Sequence, residues 1–182
     1  MFRRAVAEFD ARVHQIGDQD WQAATPDEEW NVRELVNHVV GEDLWAPPLL
    51  AGSTIAEVGD RFDGDVLGAE PKQAWNLASA AAVRAMEADG AMDRIVHLSF
   101  GDFPGRDYAM QMFADHLIHA WDLARAIGAD ERLDSALISS CATWFDSAED
   151  AYRSAGVIAP RPPLPGDADA LTVLLARFGR RA

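Results

Sequence analysis

The sequence predicts an all-α fold, a four-helix bundle, on three observations. Apolar residues recur at spacings of three and four through several long segments, which is the stripe of an amphipathic helix. Capping residues stand in front of these segments and glycines behind them. A single short run, RIVHLSF, reads as strand-like, so no alternating series of strands is present to build a layered sheet. At 182 residues the chain fits one domain that can bury a core without disulfides.

The elements follow in order. Phe2, Val6, Phe9, Val13 and Ile16 form one apolar stripe that Gly17 closes. Thr25-Pro26-Asp27-Glu28 has a Thr cap followed by Pro and predicts a short helical turn. Asn31 and Glu34 then form a capping box, with Trp30 and Leu35 placed as a hydrophobic staple, so a helix begins at Val32 and carries His38 in its middle. Pro47 and Pro48 remove two amide donors and predict its end near Trp45-Ala46.

The Gly- and Asp-rich stretch 52–68 reads as a loop, with STIAEV the one hint of order. A helix over 70–89 shows Trp75, Ala78, Ala82, Ala85 and Met86 on one small-residue face, and Gly90 ends it. RIVHLSF then predicts an extended arm, and GDFPG the turn leading into the next helix. That helix, from Asp107 to Gly128, is the centre of the chain. Asp134 caps a further helix to Ala155, with Leu137, Ile138, Cys141, Trp144, Phe145 and Tyr152 inward. Residues 1–159 are thus predicted to form the bundle. A proline-rich connector and a short docked helix complete the same domain over 160–182.

Composition excludes several functions. A formal net charge of −14 argues against nucleic acid or an anionic membrane, both of which require clustered Lys and Arg. Lys72 is the only lysine, and the pairs Arg3-Arg4 and Arg180-Arg181 read as solvated ends. No apolar run is long enough to span a bilayer, and the first residues lack the apolar core of a signal peptide, which predicts a soluble, cytoplasmic protein. Cys141 is the one cysteine. It sits in an apolar run and reads as a buried, inert thiol.

Chemistry concentrates in the central helix. At 100° per residue, Asp115 and His119 lie one turn apart on one face, which also carries Tyr108, Met112, Asp122 and Ala126. Such a pair either chelates one ion or forms an ordinary helix couple worth a few tenths of a kcal/mol. His38 is the candidate third ligand, because bundle sites are built from facing helices. Glu42, one turn beyond His38, is an alternative carboxylate, and His97 in the extended arm an alternative imidazole. His116 points about 100° away from Asp115, toward a structural or solvent-facing role. Asp122 is either a general base, a partner of Arg125, or the residue that orients a ligating histidine.

The segments W-x-V-R-x-L-V-x-H (30–38), G-x-x-P-G (101–105) and D-x-x-x-H-x-W-D-L-A-x-x-x-G (115–128) together resemble the actinobacterial branch of the DinB/YfiT-like superfamily, the mycothiol-dependent maleylpyruvate isomerase metal-binding domain proteins. The resemblance covers almost the whole chain. It implies a four-helix bundle with a divalent metal held by His38, Asp115 and His119, and mycothiol as a thiol cosubstrate.

Two histidines and one carboxylate leave coordination positions open, as catalytic sites do. The set suits Zn²⁺ and Ni²⁺, and also Fe²⁺ or Mn²⁺. A metal there can favour a bound thiolate or activate water, and the resemblance favours the thiol. The leading expectation is a metal-dependent thiol transferase or isomerase acting on a small electrophile. Against it stand a bundle that binds metal or ligand without turnover, and a metal-free scaffold. Small bundles commonly form homodimers, and no residue here argues for one.

Overall fold

Helix α1 (Phe2–Val13) forms along the first apolar stripe, with Phe2, Phe9 and Val13 buried, and Ile16 packs just beyond its end. The computed structural model describes residues 1–182. Thr25 to Glu28 is not helical. Thr25 Oγ1 accepts the Asp27 amide and its hydroxyl lies 2.9 Å from the Trp30 carbonyl, which closes a tight turn instead. A bridge between Ala24 and Asn31 then brings the turn flush against the next helix. The local helical turn in this region is a 3₁₀ turn at Asp20–Gln22.

The capping box at Asn31 forms as expected, with both reciprocal hydrogen bonds present. Helix α2 (Val32–Leu50) nevertheless runs through Pro47 and Pro48, where the sequence predicts an end. The prolines occupy its last turn, so only the carbonyls of Asp43 and Leu44 lose their i+4 donors, while Leu49 and Leu50 become buried. Helix α3 (Ile55–Val58) is a single turn with its own capping box from Thr54 and Glu57. Helix α4 (Pro71–Met86) buries Trp75, Ala78, Ala82 and Met86.

The segment before the central helix is a hairpin, not an arm followed by a turn. Strand β1 (Ile95–Leu98) pairs antiparallel with β2 (Gly101–Pro104), His97 opposite Asp102. The GDFP residues supply the second strand because two residues suffice to reverse the chain. Helix α5 (Gly105–Ala126) follows directly. Its first residue has to be glycine: a Cβ there would lie 2.0 Å from the carbonyl oxygen of Ala91.

α1, α5, α2 and α4 pack in that cyclic order, each against the next, and form the four-helix bundle. α5 is buried on nearly every side, as a helix at the centre of a fold must be. Helix α6 (Ser135–Ser154), capped by Asp134, flanks α5 and packs against α7 (Ala170–Arg177), whose Leu174 and Leu175 join the core. Glu149 of α6 binds Arg153, Arg161 and Arg177, tying the proline-rich connector and α7 down together. Phe178 stacks on Phe145 with ring centroids 3.9 Å apart. Gly179, at φ +81 and with no room for a side chain beside Ala159, then turns the chain inward. No helix is long and apolar enough to cross a membrane.

Candidate metal centre

α2 starts at its capping box, and His38, two turns in, faces α5. From α5, Asp115 and His119 meet it. Asp115 Oδ1 lies 3.4 Å from His38 Nε2 and 3.3 Å from His119 Nε2. One donor atom from each of the three residues falls within 4.8 Å of the others. Ligands held tetrahedrally at about 2.0–2.1 Å from zinc lie about 3.3 Å from one another, so these separations suit one divalent ion. The second oxygen, Asp115 Oδ2, is buried without a hydrogen-bond partner, a further sign of a donor set built for a cation.

His119 is oriented from behind. Its Nδ1 lies 2.9 Å from Asp122 Oδ2, so Nδ1–H donates to that carboxylate and Nε2 faces His38 and Asp115. Asp122 is fully buried, and its oxygens are taken by His119 and by Arg180, whose Nε and Nη2 lie 3.0 to 3.2 Å away. Of the readings open for Asp122, this geometry is that of an orienting group. Arg125 is not its partner: it stands over Trp121 and pairs with Glu131.

Arg180 itself was expected in solvent as part of a charged end. It is instead 12% exposed, with Nη2 also 2.9 Å from Asp27. The cause lies in the Phe178 stack and the Gly179 turn, neither of which has a local signature in the sequence. Trp30, expected only as a staple, stacks on the His38 ring at 4.6 Å and leans over His119 at 5.6 Å.

The titration behaviour follows from this crowding. Burial would raise the Asp115 carboxyl, but the charges of His119 and His38 outweigh it and hold the group well below the usual range. Burial would lower His119, but Asp115 and Asp122 drive it up to about 10. Asp122 is likewise held down, by His119 and Arg180 against the effect of burial. Glu42 goes the other way, raised first by burial and next by the Asp115 charge.

His38 and Asp115 keep 29% and 27% of their side chains exposed, so the centre opens to one side. There a cavity of about 280 Å³ is walled by His38, Glu42, Trp45, Phe62 and Asp63. Glu42 thus lines the cavity and is absent from the donor cluster. His97 is also absent: it bonds Asp102 across the hairpin, Nδ1 to Oδ1 at 2.7 Å. His116 is neither exposed nor part of the centre. It is wholly buried on the adjacent face of α5, against Asp43 of α2, a pair that no local motif announced. Cys141 is buried, its thiol pushed up to about 12 by desolvation, as an inert thiol should be.

Comparison with known proteins places this geometry in context. The family described as Mycothiol maleylpyruvate isomerase N-terminal domain matches residues 2–124, which contain all three donors and Asp122. Two uncharacterized proteins of Mycobacterium tuberculosis, from two strains, are each 32% identical over 139 residues, covering 74% of this chain and 70% of their own length. No solved structure matches the chain.

Proposed function

The chain belongs to the mycothiol maleylpyruvate isomerase N-terminal domain family, and from that membership and the geometry above we propose that it is a divalent-metal-dependent enzyme. It uses a small thiol of the mycothiol kind to act on a small electrophile, by transfer or isomerisation. The observation that carries this reading is the convergence of His38 Nε2, Asp115 Oδ1 and His119 Nε2 beside an open cavity. His38, Asp115 and His119 would hold the ion, with Zn²⁺ or Ni²⁺ best suited to the donor set.

A divalent ion held there would supply a Lewis acid beside the thiol sulfur and favour the thiolate at neutral pH. The protein's own groups do the rest. Asp122 accepts the Nδ1 proton of His119 and so turns Nε2 toward the centre. Trp30 covers the two imidazoles and excludes water from that side. Glu42, on the cavity wall with a raised carboxyl, is positioned to accept the thiol proton. Trp45 and Phe62 give the substrate an apolar wall. No Lys or Arg lines the cavity, and Glu42 and Asp63 do, which favours neutral organic molecules over dianions.

The test is elemental analysis of untagged protein, native and with His119→Ala or His38→Ala, followed by assays of thiol-dependent turnover of electrophiles. The expected result is about one metal per native chain and none in either variant, with helical content retained. Absence of metal from the native protein after incubation with Zn²⁺ and Ni²⁺ would overturn the reading.

A further inference from the structure

We infer that Arg180 is a positioning residue for both histidines of the candidate metal centre, acting through two carboxylates at once; the inference rests on the metal reading above. One arm is the chain Arg180, Asp122, His119. Arg180 Nε and Nη2 hold the Asp122 carboxylate, which takes the Nδ1 proton of His119 at 2.9 Å. The other arm runs through the loop before α2. Arg180 Nη2 holds Asp27 at 2.9 Å, and the Asp27 carbonyl accepts the amide of Trp30 at 3.0 Å. Trp30 closes that turn and stacks on His38. A planar guanidinium with donors on several sides can serve both acids in fixed directions; an ammonium is a point charge and cannot.

Asp122 is fully buried and Arg180 nearly so, and a buried charge left without its partner is costly. The side chain is therefore committed to this place. Arg180 also lies beyond residue 124, where the family match ends, so the clamp joins the C-terminal tail to donors that the family match covers. Phe178 and Arg177 anchor the tail independently of Arg180, by the Phe145 stack and by Glu149. Replacing Arg180 should therefore leave α7 docked.

The experiment compares native protein with Arg180→Gln, Arg180→Lys and Asp27→Asn, loaded with Co²⁺ as a spectroscopic probe. Measured are the Co²⁺ affinity by competition with a chromophoric chelator, the visible absorption of the bound ion, and the circular dichroism. Arg180→Gln should lose about 10- to 100-fold in affinity and change the Co²⁺ spectrum with the helices intact. Arg180→Lys should restore only part of both. Asp27→Asn should weaken binding less, because it releases only the His38 arm.

A folded Arg180→Gln with native affinity and spectrum would overturn the inference. So would full rescue by lysine, which would reduce the effect to charge alone. Should native protein take up no Co²⁺, the metal reading fails; the imidazole resonances of metal-free protein then decide the positioning role by themselves. They should shift for both His38 and His119 in Arg180→Gln, and unmoved resonances would overturn it.

Discussion

Asp43 Oδ1 and His116 Nε2 face each other 3.2 Å apart, with neither side chain exposed to any solvent. His116 Nδ1 donates to the Met112 carbonyl at 2.8 Å, which fixes that proton and leaves Nε2 toward the acid. Nε2 and the acid therefore meet at ion-pair distance inside the bundle. Burial would lower His116, but the Asp43 charge holds it above its ordinary value. The pair is off hydrogen-bond alignment, and neither Asp43 oxygen nor His116 Nε2 has a hydrogen-bond partner.

Asp43→Ala should therefore be severe, about 3–5 kcal/mol, because it leaves an imidazole buried without its counterpart. Asp43→Asn should cost clearly less, since an amide can donate to Nε2. Urea unfolding midpoints of the two variants provide the check. Equal losses would mean that the polar contact with His116 contributes nothing.

The cavity beside His38 should select its thiols by charge. On metal-loaded protein, neutral 2-mercaptoethanol should bind more tightly than dianionic mercaptosuccinate, because Glu42 and Asp63 repel the carboxylates. The double variant Glu42→Gln, Asp63→Asn should narrow that difference by about tenfold, roughly 1.4 kcal/mol, read from competition binding at low ionic strength. A preference for the dianion in the native protein would contradict the acidic wall.

Glu149 should give the tail a pH dependence. Burial would raise its carboxyl, but Arg161, Arg177 and Arg153 hold it down to about 2, from an ordinary 4.5. A depressed acid stabilises the fold fully above its ordinary value and loses that contribution as pH falls from about 4.5 toward about 2. Thermal unfolding across that window should show native protein losing stability faster than Glu149→Gln. Parallel curves would show that the arginine cluster does not couple to folding.

The parts of the fold that are written locally were legible. The Asn31–Glu34 capping box, the Asp134 cap and the i, i+4 spacing of Asp115 and His119 involve neighbours in sequence, and each appears in the structure as read. The convergence of His38 with that pair was inferred from bundle geometry and from family resemblance, and the side chains do meet. What could not be read depends on distant partners. Pro47 and Pro48 are tolerated because the burial of Leu49 and Leu50 outweighs two lost hydrogen bonds. GDFP is a strand only because Ile95–Leu98 lies beside it. Arg180 looks like a solvated end until Asp27 and Asp122 are brought to it across the molecule. Of the two roles open to His116, the structural one holds, because a helix at the centre of a bundle buries that face.

Gly105 has no chemistry of its own, yet it governs where α5 can begin. Any Cβ at that position would run into the backbone of Ala91, and backbone cannot swing aside as a flexible side chain can. Every missense change in a glycine codon adds at least a Cβ, so inheritance offers this position no mild alternative. His38, Asp115 and His119 can each be exchanged without moving the backbone, whereas a change at Gly105 would displace the helix that carries two of them. A position closed to mutation by the needs of the candidate metal centre therefore lies well outside it.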